Sequence, residues 1–574
     1  MSVIYTVKAK CRDCYKCLRL CPVQAIKFSS GGANMRACVL EDECILDGRC
    51  VAVCPQNAKK VRRDVELVQG WLEAGEKVAV SLAPSFVVGM PVEDPGLVVA
   101  GLKKSGFAIV QETALGAELV AREQSRLSRG KGILLEPQIN SSCPVVVNLV
   151  ERHYPGLIPH LAPLVSPMVA HARSLKLKDP ELKVVFIGPC IAKKEEAAQL
   201  GDVDAVLTFQ ELWDWWSQGE FVADERPAEF DPPHADLGRL FPIDGGMLKT
   251  ARIDGDLVEG QSIAISGMDN CLSFMETLSQ GKAAGIRIVE MLACPGGCIN
   301  GPAAAVDPPL SDIVNLFQRR QRLLAAYRNR APKESSPLEL APRLLYRDYQ
   351  DRQVDEPIPS EEEIRAVLAQ VGKVTKEDEL NCGACGYGSC REKAVAVCRG
   401  HAELEMCIPY MREKAESIAN LVLNALPSGV IVVNPDLKIM EINNAARELF
   451  HCSDRVVGGD VDVLLEPEYF RRVLQGRRMD QRRVAYHRHD LVVEQTIFFV
   501  PEHSMIVGIF TNVTQEEERM RQVQEIKAAA TERAQEVINK QMKVAQEIAS
   551  LLGETTAETK LSLIKLIELL REEQ

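Results

Sequence analysis

Two cysteines, Cys294 and Cys298, flank Pro295-Gly296-Gly297 in the stretch Glu290-Met-Leu-Ala-Cys-Pro-Gly-Gly-Cys298-Ile-Asn-Gly301. Thiolates are soft ligands suited to iron–sulfur centres or zinc, and glycines without a Cβ let backbone amides approach a cluster closely. Cys-x3-Cys alone is a weak pattern. Two earlier single cysteines strengthen it, each beside a proline: Ser141-Ser142-Cys143-Pro144 and Gly188-Pro189-Cys190-Ile-Ala-Lys193-Lys194-Glu195. Four thiolates from three distant loops would close one [4Fe–4S] site.

Two further groups of donors carry the same chemistry. Cys11-x2-Cys14-x2-Cys17-x3-Cys21-Pro22 has the bacterial two-cluster ferredoxin spacing, in which the fourth cysteine serves the other cluster. Its second half, Cys44-Ile-Leu-Asp47-Gly-Arg-Cys50-x3-Cys54-Pro55, puts Asp47 where the second thiolate belongs. Cluster one then takes Cys11, Cys14, Cys17 and Cys54. Cluster two takes Cys21, Cys44, Cys50 and a fourth ligand that is either Asp47 or, after a loop movement, Cys38. A carboxylate is a harder and more labile iron ligand, and a [3Fe–4S] cluster is the other outcome. A structural zinc module is disfavoured by the repeated Cys-Pro endings. Cys382-Gly-Ala-Cys385-Gly-Tyr-Gly-Ser-Cys390, with Cys407 beyond a helical stretch, offers one more quartet. It resembles the [4Fe–4S] domain of Rnf-type electron-transfer subunits and corrinoid iron–sulfur proteins, zinc being the alternative. Arg391 and Lys393 either offset cluster charge or face water.

Over residues 77–330 the cysteine motifs, in this order, resemble the catalytic domain of [FeFe]-hydrogenases. The resemblance implies that Cys143, Cys190, Cys294 and Cys298 hold the cubane of an H-cluster, with Cys298 bridging to a two-iron subsite. It further implies that Ala83-Pro84-Ser85 and Lys193 line that subsite and donate hydrogen bonds to its cyanide ligands. The chain departs from the family at Ser142, where a relay cysteine is expected. A general acid needs a pKa near the working pH, which a thiol reaches and a serine does not. Gly188 stands in place of a methionine, no tryptophan follows Pro144, and Cys298-Ile-Asn-Gly301-Pro302 replaces a cysteine with a glycine triplet.

Composition bounds these readings. The 574 residues exceed what one core supports, and five modules are expected. A net charge of −12 without a basic cluster argues against a nucleic-acid partner. No apolar run of membrane-spanning length and no signal peptide are seen, so a soluble, cytoplasmic protein is expected. In that compartment 19 cysteines read as metal ligands rather than disulfides. Cys38, Cys271, Cys398 and Cys452 fall outside the quartets and read as buried small hydrophobes, with Cys38 held open as a ligand.

The elements that must position the cysteines follow from periodicity. Apolar runs at 78–82, 107–110, 184–187, 205–209, 262–265 and 286–291 alternate with amphipathic stretches, the pattern of an α/β layer with parallel strands. The Cys190 and Cys294 loops each follow such a strand, where α/β folds place ligands. Trp213, Trp215 and Trp216 read as packing on a helix, and Lys193 and Lys194, without the resemblance, as solvated lysines. Gly31-Gly32 reads as a turn. A linker over 331–360 gives way to Ser360-x-x-Glu363, a capping box. Residues 426–450 run strand, turn, strand, helix and, with strands at 482–487, 491–499 and 505–512, resemble a PAS domain. His451, His487 and His489 read as surface residues, and no PAS cofactor is assigned. An apolar stripe from Val523 through Leu552, closed by Gly553, either packs back on the PAS domain or forms a signalling coiled coil. Thr555-x-x-Glu558 opens a last helix.

The expected fold class is multidomain α/β and α+β: a two-cluster ferredoxin unit (1–65), an α/β hydrogenase-like domain (66–330), a linker (331–360), a small helical 4Fe-4S domain (361–412), a PAS domain (413–515) and C-terminal helices (516–574). Four [4Fe–4S] clusters are expected, the one at Asp47 with [3Fe–4S] as its alternative, plus a diiron subsite bridged by Cys298. The arrangement resembles the PAS-bearing sensory branch of the hydrogenases and implies a hydrogen or redox sensor that signals to a kinase or phosphatase. A slow or bifurcating hydrogenase using ferredoxin, and a non-catalytic cluster protein, are the alternatives. A ferredoxin or other redox partner and a homodimer fit these readings.

Overall fold

The computed structural model describes residues 2–30, 35–129, 135–218, 226–253, 261–306, 312–328, 338–475, 479–552 and 556–572. The chain divides into two compact units, Met1–Tyr410 and Met411–Gln574.

The first unit begins with two short antiparallel pairs, β1 (Ile4–Thr6) with β4 (Lys59–Val61) and β2 (Ile26–Ser30) with β3 (Met35–Val39). Between them run the cysteine loops of the ferredoxin-like segment. The α/β part holds two parallel sheets. In one, β5 (Val78–Leu82) is central, flanked by β6 (Ile109–Glu112) and by β8 (Lys183–Gly188), with β9 (Ala205–Thr208) at the edge beyond β8. All five β5 side chains are buried, as expected of a strand covered on both faces. The other sheet joins β7 (Gln138–Ile139) and β10 (Ser262–Ser266) to a central β11 (Ile288–Leu292).

Most expected strands stand within two residues of their places, and β6 shows why the apolar pattern slips. Its ladder runs on into Gln111 and Glu112, which pair with Ser81 and Leu82. Those polar groups are buried because partners satisfy them: Glu112 takes Arg239 Nε and Nη2 at 2.8 and 2.7 Å, and Gln111 Oε1 lies 3.2 Å from His171 Nε2. The two-residue β7 is too short for periodicity to reveal.

Residues 338–356 are no free linker. They strap the α/β domain: Val165 donates to the Leu345 carbonyl, Arg347 to that of Pro163 and Arg352 to that of Glu151. The strap leads into the helix Glu361–Gln370, whose Ser360–Glu363 capping box forms. Glu356 at its end meets Arg399 Nε at 3.1 Å and His401 Nε2 at 3.0 Å, beside Glu43. Residues 31–34, 329–337 and 553–555, which include Gly31-Gly32, Gly553 and Thr555, lie outside the described residues.

The second unit is a five-stranded antiparallel sheet in the order β13-β12-β16-β15-β14, from β12 (Gly429–Val433), β13 (Ile439–Ile442), β14 (Met479–Tyr486), β15 (Leu491–Val500) and β16 (Met505–Asn512). Its core is filled by Phe450, Phe470 and Phe510, with Phe450 edge-on to Tyr486 and His489. Asn443 caps the helix Asn444–Leu449 through the Ala446 N–H. Beyond β16 a helix of 39 residues, Thr514–Leu552, leaves Val523, Ile526, Val537, Val544 and Ile548 exposed, so its stripe is not packed back on the sheet. Among the described residues no helix is long and apolar enough to cross a membrane.

Lys194 is the most enclosed charge of the first unit, with no side-chain exposure and its Nζ 3.1 Å from Asp64 Oδ2 and 3.0 Å from Glu211 Oε2. Removing one member of a buried cluster leaves the others uncompensated. Lys194→Ala is expected to destabilise this unit by about 3–5 kcal/mol, read by chemical denaturation, whereas loss of the exposed Arg365–Glu361 pair should cost under about 1 kcal/mol. Equal effects would refute the structural role given to Lys194.

Candidate metal centres

All three cysteine loops of the α/β domain leave parallel strands at their carboxyl ends. Cys143 follows β7 and caps the helix Pro144–His153, with Pro144 in the first turn where its missing N–H costs nothing. Cys190 lies between β8 and the helix Lys193–Leu200, and Cys294 stands two residues past β11. Gly297 has φ +97°, and a Cβ there would meet the Pro242 carbonyl oxygen at 2.2 Å, so only glycine lets the Cys294–Cys298 loop close.

These turns bring Cys143, Cys190, Cys294 and Cys298 to one cavity of about 100 Å³, lined also by Ala83, Pro84, Ser85, Ser142 and Lys193. Burial, then the neighbouring Cys143, pushes the Cys190 thiol up to about 11, and burial with the neighbouring thiols raises Cys294 and Cys298 as well. Four crowded thiols resist ionising together unless cations share their charge, which is what an iron–sulfur cluster supplies. Two buried polar atoms among the cavity-lining residues have no hydrogen-bond partner, Ser85 Oγ and Asn140 Nδ2. Unpartnered donors of this kind fit a ligand that offers acceptors.

Lys193 and Lys194 are not solvated. Lys193 Nζ pairs with Glu196 Oε2 at 2.7 Å and stands 3.5 Å from the Ser142 carbonyl, and Lys194 is held by the cluster described above. The anionic partners are what make burial tolerable for both. Asn140 and Glu290 escaped the sequence reading. Asn140 Oδ1 accepts the Met291 N–H at 3.2 Å, which fixes the side chain at the cavity. Glu290 accepts N–H groups of Met247 and Leu248, each at 3.2 Å, and burial pushes its carboxyl up to about 7. A carboxylate inside an apolar strand was the only signal for it.

In the ferredoxin-like segment, burial and then Asp47 raise the Cys21 thiol to about 12. Burial, with Asp47 also contributing, raises Cys44 to about 11 and raises Cys50. Cys54 differs. Burial raises it, but N–H groups of Ala58, Lys59 and Gln56 outweigh that and hold it below the ordinary thiol range. Cys17 is raised by burial and, to a lesser extent, by its neighbours Cys11 and Cys14, with the Lys59 ammonium acting against them. Cys382, Cys385, Cys390 and Cys407 line a single recess with Lys393. Lys393 is buried and donates to the Leu404 carbonyl at 3.0 Å, while Arg391 turns outward to Glu361. Of the remaining cysteines only Cys271 is buried; Cys398 is exposed, and Cys38 and Cys452 are half-buried. The reading of all four as buried hydrophobes therefore holds for Cys271 alone, because Cys398 ends its helix at the surface.

The sequence profile described as iron only hydrogenase large subunit, C-terminal domain, matches residues 76–302. A 4Fe-4S dicluster domain matches 10–58, a putative Fe-S cluster domain 378–409 and a PAS domain 418–483. The chain is [FeFe]-hydrogenase-like, iron–sulfur and PAS-bearing. Similar proteins include the NADP-reducing hydrogenase subunit HndD of Solidesulfovibrio fructosivorans, 26% identical over 394 residues, which are 55% of this chain and 66% of that protein. The periplasmic [Fe] hydrogenase large subunit of Nitratidesulfovibrio vulgaris is 26% identical over 391 residues, 57% of this chain and 92% of its own length. A probable cytosolic Fe-S cluster assembly factor of Drosophila persimilis is 24% identical over 392 residues, 55% of this chain and 80% of that protein. A solved [FeFe]-hydrogenase, described in connection with oxygen inactivation, is 20% identical, covering 51% of this chain and 100% of its own, at a TM-score of 0.40. The PAS domain of nitrogen regulation protein NR(II) from Vibrio parahaemolyticus is 19% identical, covering 17% of this chain and 97% of its own, at 0.15.

Cys190→Ala in the reconstituted full chain should lower bound iron by about four atoms, while Cys271→Ala leaves it unchanged. Iron analysis that finds the same content in both variants would remove Cys190 from the ligands.

Proposed function

We propose that the chain is a hydrogen or redox sensor in which a hydrogenase-like centre reports, through iron–sulfur clusters, to the PAS domain and its C-terminal helix. The observation that carries this reading is the cavity of four converging cysteines with a hydroxyl, Ser142, where proton relay would need a titratable thiol. In this reading Cys143, Cys190, Cys294 and Cys298 hold a cubane, and Cys298 also bridges to a diiron subsite. When bound, that group supplies the chemistry of interconverting H2 with two protons and two electrons. Ser85 Oγ, Asn140 Nδ2 and Lys193 are the polar groups available to orient its ligands, and Ala83 and Pro84 exclude water. Cys11, Cys14, Cys17 and Cys54, then Cys21, Cys44, Asp47 and Cys50, then Cys382, Cys385, Cys390 and Cys407, hold three further clusters that carry electrons. The exposed apolar stripe of the helix Thr514–Leu552 suits a kinase, a phosphatase or a second copy of the chain, and a ferredoxin or other redox protein suits the cluster segments. Cytoplasmic residence belongs to the same reading.

A second reading draws on the similarity to cytosolic Fe-S cluster assembly factors: a protein holding cubanes without a diiron subsite. Iron content separates them, about sixteen atoms per chain for four cubanes and about eighteen with the diiron unit.

Maturated protein should show infrared bands of iron-bound carbonyl and cyanide with little H2 turnover, and Ser142→Cys should raise turnover without shifting those bands. Rapid turnover by the unmodified chain rejects the sensor reading, and infrared silence selects the second.

A further inference from the structure

A chain of polar side chains leads from the wall of the four-cysteine cavity into the interior of the α/β domain. Thr113, which lines the cavity, has its Oγ1 2.7 Å from Ser81 Oγ on β5. Ser81 Oγ lies 2.8 Å from His171 Nδ1, and His171 Nε2 lies 3.2 Å from Gln111 Oε1 on β6. Gln111 Nε2 in turn donates to the Pro232 carbonyl at 2.5 Å. Every side chain in this series is buried, Ser81 and His171 completely. A carbonyl can only accept, so Pro232 takes the nitrogen end of the Gln111 amide and leaves the oxygen facing His171. Burial keeps the imidazole neutral by pushing it down to about 3, so Nε2 carries the one ring proton. Its Nδ1 is then an acceptor, Ser81 donates to it, and Ser81 Oγ can only accept from Thr113. The Thr113 oxygen has lone pairs, and no hydrogen, left for the cavity.

One added proton reverses this order. With both nitrogens of His171 protonated, Nδ1 donates to Ser81, Ser81 donates to Thr113, and the Thr113 hydroxyl is freed to donate into the cavity, while the bond from Nε2 to Gln111 stays as it was. Gln111 is an amide and passes no proton on, so this chain reaches His171 from the cavity side alone. Negative charge gained by the cavity favours the protonated imidazole. Among the described residues the charge that bears on His171 is that of Lys178 on its own helix, which opposes protonation. Charges on the elements packed against that helix are committed elsewhere: Glu112 to Arg239, Glu118 to the N–H groups of Asp236 and Gly238, Glu123 to Arg126 and Lys183 to the Trp71 ring, while Arg343 is exposed. We propose that His171, through Ser81 and Thr113, is the proton acceptor of the four-cysteine cavity, taking up one proton when the group held there gains an electron and returning it on oxidation. The step balances: a hydronium ion in the cavity gives its proton to Thr113 Oγ1, the Thr113 proton passes to Ser81 Oγ, and the Ser81 proton passes to His171 Nδ1. One O–H bond of the hydronium breaks, one N–H bond forms and water is left, while the electron comes from a one-electron reductant such as a reduced ferredoxin. The inference rests on the cubane proposed at Cys143, Cys190, Cys294 and Cys298, and on neither the diiron subsite nor the sensor role.

The test uses the full chain carrying isotope-labelled histidine and reconstituted anaerobically with iron and sulfide. Redox-difference infrared spectroscopy follows the histidines, and potentiometry follows the cluster signal that Cys190→Ala removes. Reduction should produce label-sensitive imidazolium bands, and the potential of this cluster should fall as pH rises. Both effects should vanish in His171→Gln at unchanged iron content. In Ser81→Ala the histidine bands should follow rapid reduction about a hundredfold more slowly, whereas Thr113→Ser, which keeps the hydroxyl, should match the unmodified chain. The proposal is overturned by reduction without histidine bands, by an equal pH dependence of the potential in His171→Gln, or by bands that are no slower in Ser81→Ala. Should His171→Gln fail to load its iron, the kinetics of Ser81→Ala decide. A cluster signal that survives Cys190→Ala would instead sink the cubane on which the proposal rests. Absence of carbonyl and cyanide bands, which would sink the sensor reading, leaves each of these outcomes readable.

Discussion

Enclosing several thiols in one place with little water is the constraint on which the first unit depends. A lone buried thiolate is costly, and four together repel one another, so the arrangement is reasonable only if a polycationic cluster shares their charge. The surroundings of these thiols differ from an ordinary apolar core. Three loops leave the same ends of parallel strands, and Gly297 lets one loop press against the Pro242 carbonyl. Ser85 and Asn140 keep donors without partners, where a core built only for stability would have satisfied or removed them.

The same constraint organises the contacts among the cluster-bearing segments of the first unit. Gly48 and Arg152 lock the Cys44–Cys50 loop onto the α/β domain. The Cys382–Cys407 segment seats on the ferredoxin-like segment instead: Arg19 donates to the Ala384 carbonyl at 3.2 Å, and the Phe28 N–H donates to the His401 carbonyl at 2.9 Å. Lys59 is buried with its ammonium on Thr6 Oγ1 at 2.8 Å, and its charge acts on Cys17, Cys50 and Cys54. A single cation thus acts on thiols from both halves of the ferredoxin-like segment.

The second unit obeys a different rule. Its sheet buries an aromatic core on one side, while the long helix that follows presents valines and isoleucines to solvent. That exposed stripe takes no part in the sheet's core, although packing rather than propensity stabilises most helices.

Much of this was legible in the sequence, and the reason is local. Cysteine spacing points to iron–sulfur domains because cluster geometry allows few spacings, and Ser360, Asn443 and the runs at β5 and β8 report caps and strands because those depend on near neighbours. The burial of Lys194 was not legible, because Asp64 is brought close to it only by folding; Lys193 has its partner Glu196 three residues on in the same helix, and what could not be read there is the enclosure of the pair. Nor were the orphaned donors of Ser85 and Asn140 or the enclosure of Asp47, since an unpartnered atom is defined by everything that surrounds it. The sequence by itself determined which side chains can bind metal and in what local frame. Only the tertiary structure decided which of them meet, because convergence of residues 143, 190, 294 and 298 is set by the order of strands in two sheets and by nothing near them in the chain.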